Sequence, residues 1–101
     1  MRLYDLARVI RSKNAGPFTL TIDIVFETRD DLARALASAA LSPQCIAQLY
    51  RVEAPAVRVM PFERVLTIKV SMPRPGASSG APGDTDVYGC SQHFPLADCR
   101  V

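Results

Sequence analysis

At 101 residues, 49% hydrophobic and 22% charged, the chain has ordinary globular composition, which excludes disorder and predicts one domain over residues 1–101 with a single modest core. Twelve Lys and Arg against ten Asp and Glu give a net charge of +2, and the basic residues are scattered singly. A nucleic-acid binder needs a basic stripe with aromatics interleaved, so that class is set aside. No apolar run has the length of a membrane span and the N-terminal residues show no leader pattern, so a cytoplasmic location without membrane contact is expected. Cys45, Cys90 and Cys99 leave one thiol over in any disulfide scheme and match no zinc or redox spacing; they read as reduced thiols.

Leu3, Leu6, Ala7 and Ile10 fall on one helical stripe, with Asp5, Arg8 and Arg11 turned away, so Leu3–Arg11 is read as a short amphipathic helix. The rival strand, alternating Tyr4, Leu6, Arg8 and Ile10, fits less well because it places an arginine on the apolar face. RSKNAGP then reads as a turn, through Asn14, Gly16 and Pro17. FTLTIDIVFE, residues 18–27, is the clearest strand, with Phe18, Leu20, Ile22, Ile24 and Phe26 toward the core.

Thr28 with Asp31 three residues on marks a helix start, and Leu32, Ala35, Leu36 and Ala39 supply its buried stripe. Ser42 and Pro43 begin a second helix as cap and first helical residue; Leu41 and Ile46 staple that end, and Leu49 and Tyr50 continue its apolar side. AVRVMPF and RVLTIKVSM read as an antiparallel hairpin turning at Pro61–Glu63, with Leu66, Ile68, Val70 and Met72 inward. Between Pro73 and Gly83 eight of eleven residues are Pro, Gly or Ser, a linker-like composition. The tail from Leu96 to Val101 is assigned a short edge strand. The sum is an α+β domain: a small antiparallel sheet with helices packed on one face, ferredoxin-like in layout.

Three places carry candidate chemistry. The PGDTDVYGCSQHFPL stretch gathers Asp84, Asp86 and His93, whose carboxylates and imidazole serve either as an acid–base group or as hard metal ligands. The bland alternative, aspartates bonding turn amides and a histidine that packs or caps, weighs more than a metal, and no metal or cofactor is assigned. The RSKNAGP turn, with Arg11 and Lys13 beside exposed amides and Gly16 relieving crowding, suits an anion. Asp23 runs against strand propensity, and Lys69 lies on the polar face of another strand; if the strands are neighbours, the two pair across the sheet.

The blocks LYDLARVIRSKNAGPF, TIDIVF, KVSMPRP and GAPGDTDVYGCSQH together resemble an uncharacterised domain-of-unknown-function family of short proteins. Its members are encoded beside, or related to, the acyclic terpene utilisation proteins called AtuA, whose small C-terminal domain is ferredoxin-like and opens on a similar LYDLA segment. The resemblance implies an accessory role in hydroxyacid or acyl-thioester catabolism and no specific reaction. Its blocks fall here on Arg11, Ser12, Lys13, Asn14 and Gly16, on Asp23, on Lys69 and Arg74, and on Asp84, Thr85, Asp86, Tyr88, Gln92 and His93. Cys90 and Ser91 depart from the pattern, which weighs against a catalytic Cys90.

Two functions are therefore expected to compete. The first is an accessory subunit in a homo- or hetero-oligomer, completing a site on a larger AtuA-like subunit of hydratase or lyase type that acts on a carboxylate or acyl thioester. The second is a small stand-alone homo-oligomeric enzyme with Asp84, Asp86 and His93 as catalytic groups, metal-assisted or not, and Arg11, Lys13 and Arg74 holding a carboxylate.

Overall fold

A computed structural model describes residues 1–16, 18–73 and 94–101. The chain opens with a single helical turn, α1 (Leu3–Leu6), followed by β1 (Val9–Asn14) and β2 (Thr19–Val25). Helices α2 (Arg29–Ala37) and α3 (Pro43–Tyr50) come next, then β3 (Arg58–Phe62), β4 (Thr67–Pro73) and a last turn of helix, α4 (Phe94–Ala97). The four strands form one antiparallel sheet in the order β1-β2-β4-β3. Because β4 pairs antiparallel with both β2 and β3, it lies between two parallel strands joined through α2 and α3. This split β-α-β unit is the kernel of a ferredoxin-like layout; here the strand beyond β2 comes first in the chain.

Strand alternation assigns the two faces. Leu20, Ile22 and Ile24 of β2 and Ile68, Val70 and Met72 of β4 are buried and cluster with Leu32 and Ala35 of α2, Ile46, Ala47 and Tyr50 of α3, and Leu3 and Leu96 from the two short helices. The expected α+β sandwich with helices on one face is thus present. Its helix starts are those read from the sequence. Thr28 Oγ1 accepts from the Asp31 amide at 3.1 Å, and Ser42 Oγ from the Cys45 amide at 3.2 Å. Pro43 opens α3, while Leu41 and Ile46 are both buried as a staple.

Several expected boundaries differ. The helix expected over Leu3–Arg11 stops at Leu6, because Ala7 is extended (φ −80°, ψ 148°) and Arg8 donates its amide to the Val25 carbonyl at 2.8 Å. The following strand starts at Val9, so Arg8, the residue that counted against a strand, precedes it. The turn expected across RSKNAGP is largely strand: Arg11, Ser12, Lys13 and Asn14 pair with Asp23, Ile22, Thr21 and Leu20. Gly16 retains the turn role, at φ +88°, and Pro17 lies outside the described residues. Phe18, expected in the core, precedes β2 and is 70% exposed. Leu36 and Leu49 sit on the shoulders of their helices and are exposed, and Ala39 is exposed where α2 has already given way to a 3-10 turn.

Pro61 and Phe62 belong to β3 rather than to a tight turn. Since β3 is an edge strand, a residue without an N–H is tolerated there. A 3-10 turn over Glu63–Val65 and a left-handed Leu66 (φ 52°) delay β4 to Thr67. The tail is α4 plus an isolated Arg2–Arg100 bridge, not an edge strand. Leu96 is held inward, its amide donating to the Tyr50 hydroxyl at 3.3 Å.

Candidate functional site

The face of the sheet opposite the core carries no described helix. Its register sets three cross-strand rows. Val9, Val25, Thr67 and Phe62 form one, Arg11, Asp23, Lys69 and Met60 the next, and Lys13, Thr21, Ser71 and Arg58 the third. Four of the residues singled out in the sequence, Arg11, Lys13, Asp23 and Lys69, therefore converge on this face through strand alternation alone. Ser12 and Asn14, from the same block, point to the opposite, helix-covered face beside Ile22 and Leu20, and Ser12 is buried. The backbone of Arg11–Asn14, expected as an anion cradle in a turn, lies instead in the edge strand β1 paired with β2.

The expected pair is present: Lys69 Nζ lies 4.0 Å from Asp23 Oδ1, with Arg11 in register on the other side of the aspartate. That Oδ1 atom is buried and accepts no hydrogen bond among the described residues. The Asp23 side chain as a whole is 21% exposed. Beside it, Thr21 Oγ1 donates to the Lys13 carbonyl at 3.3 Å. A shallow depression of 290 Å³ lies against this row, lined by Arg11, Asp23 and Lys69 at one side and by Val25, Phe62 and Val65 at the other. Phe62 and Val65 are 47% and 64% exposed, large apolar side chains left at the surface next to charge.

A larger concavity of 710 Å³ opens at the other side of the molecule, where α1, α3 and α4 meet, between Tyr4, Leu49, Pro95 and the ion-paired Arg2 and Asp98. From the sequence, an amphipathic helix at Leu3–Arg11, the apolar side of a helix at Leu49 and Tyr50 and an edge strand at Leu96–Val101 are expected here, and no site. Tyr4 is exposed here, and Arg2 covers its ring at 5.6 Å. Burial pushes the Tyr50 phenol of α3 well above its ordinary range, opposed by the hydrogen bond from the Leu96 amide. Cys45 and Cys99 are free thiols. Burial, then the neighbouring Asp98 carboxylate, pushes the Cys99 thiol up, which disfavours the nucleophilic thiolate.

Asp84, Asp86 and His93, with Arg74, Thr85, Tyr88, Gln92 and Cys90, lie outside the described residues. Among the described residues no group of three or more His, Cys, Asp or Glu side chains could hold a metal ion, and no helix is long and apolar enough to cross a membrane.

Among the described residues, the fold is a small two-layer α+β domain with helices packed on one sheet face and no described element on the other. The chain belongs to the family described as Domain of unknown function (DUF4387), whose model matches residues 3–100. No curated protein and no solved structure matches it.

Proposed function

We propose that the chain is an accessory or interaction subunit, docking through its open sheet face on a larger AtuA-like protein of hydratase or lyase type that acts on a carboxylate or acyl thioester. The observation that carries this reading is the juxtaposition on that face of an in-register Arg11–Asp23–Lys69 row with the exposed Phe62 and Val65. Charged side chains beside large exposed apolar ones are the composition of a protein interface rim and core. The AtuA-like partner and its substrate class rest on the sequence resemblance alone.

Affinity purification of the tagged chain from its native cell, followed by light scattering on the eluted species, tests the reading. A stoichiometric larger AtuA-like subunit is the expected result. A homogeneous self-oligomer, or turnover of a small carboxylate by the isolated chain, would replace it with the stand-alone enzyme.

A further inference from the structure

The open face is electrostatically lopsided: Arg11, Lys13, Arg58 and Lys69 project from it in register, with Asp23 the one carboxylate in the same rows. The chain as a whole is nearly balanced, so the asymmetry is created by strand alternation. Lys13 and Lys69 are the only two lysines of the sequence, and both stand on this face. At the opposite end of the same face the row Val9, Val25, Thr67 and Phe62, with Val65 beside it, is free of charge.

Resting on the docking role proposed above, we infer that the occupant of this face is an acidic patch on the partner protein. Its Asp or Glu carboxylates lie over the Lys13–Arg58 and Arg11–Lys69 rows, and an apolar rim lies over Val9, Phe62 and Val65. Charge complementarity argues for it, since a second copy of this chain would bring four cations against four. A nucleic acid fits less well. The central strands β2 and β4 present Thr, Asp, Val, Lys and Ser on this face and no aromatic ring to stack a base, and Asp23 repels phosphate at its centre.

A water-soluble carbodiimide, which condenses an amine with a carboxylate in direct contact, tests the inference on the nuclease-treated complex purified from the native cell. The expected result is cross-links from Lys13 and Lys69 to Asp or Glu residues of the captured subunit. Affinity should fall with added salt, and the K13E/R58E double variant, folded by its unfolding transition, should bind at least about tenfold more weakly. Cross-links confined to the Met1 amine, or capture unaffected by salt and by charge reversal, would overturn the acidic patch while leaving the accessory role intact. Loss of the complex on nuclease treatment, or recovery of a self-oligomer alone, would overturn both. Salt titration and cross-linking of the unaltered protein decide the matter even if the double variant does not fold.

Discussion

The two faces of one sheet are built from the same strands, and they differ in everything but the backbone. On the inner face, Leu20, Ile22, Ile24, Ile68 and Val70 are fully buried, and α2 and α3 cover them. On the outer face the residues between them are Thr21, Asp23, Lys69 and Ser71, flanked by exposed Arg11, Lys13 and Arg58 on the edge strands. The inner face is where folding free energy resides, since burial of apolar area scales with surface removed from water. The outer face carries polar and charged side chains, of which Arg11, Lys13 and Arg58 on the edge strands are exposed while Thr21 is itself buried. An antiparallel sheet that packs on one side only leaves that division of labour written into every second residue.

The comparison breaks most readily at Ile22, fully buried at the centre of the inner face. Ile22→Ala should lower unfolding free energy by about 2–5 kcal/mol in a urea titration. A loss no greater than that of an outer-face substitution would mean that the faces do not differ as described. Tyr50 comes next. Tyr50→Phe leaves the Leu96 amide without its hydroxyl acceptor, at a cost of about 1–3 kcal/mol near neutral pH.

The same residue sets a pH dependence. Burial raises the phenol above its ordinary value of 10.0, so the folded state retains a proton that the unfolded chain releases. The contribution is complete below the ordinary value and is lost as pH rises above it toward the folded-state value. Thermal unfolding of the native sequence should therefore fall off above about pH 10, and part of that decline should vanish in Tyr50→Phe. An unchanged alkaline limb would show that the buried end is not as dry as its packing.

The smallest effect sharpens the outer face. A double-mutant cycle with Asp23→Asn and Lys69→Met should give a coupling below about 1 kcal/mol, because the side chains are 21% and 36% exposed and their charged atoms are 4.0 Å apart. A coupling of several kcal/mol in the isolated chain would mean that this face is already covered in solution.

Much of this arrangement was legible in the letters. The alternation of Leu20, Ile22 and Ile24 with Thr21 and Asp23 gave β2, and the Thr28 and Ser42 caps gave α2 and α3. The Lys69 position predicted a cross-sheet partner for Asp23. The LYDLARVIRSKN stretch was not legible as a turn of helix followed by a strand. Its inward positions after Ile10 are Ser12 and Asn14, so no apolar alternation announced the edge strand, and only pairing with β2 fixed it. The concavity between Tyr4 and Leu49 was hidden for a related reason: it exists because α1, α3 and α4, distant in sequence, are brought to one end.

By itself, then, the sequence determined local periods, caps and which residue types could face water, because those follow from nearest-neighbour sterics and side-chain solvation. Tertiary structure alone decided that Arg11, Lys13, Arg58 and Lys69 share one face around Asp23. That convergence depends on the strand order β1-β2-β4-β3 and on a register in which slipping any strand by one residue would send its charges to the core. Burial of Ile22, Ile68 and Val70 on the other side forbids the slip, and so the packed face fixes the composition of the open one.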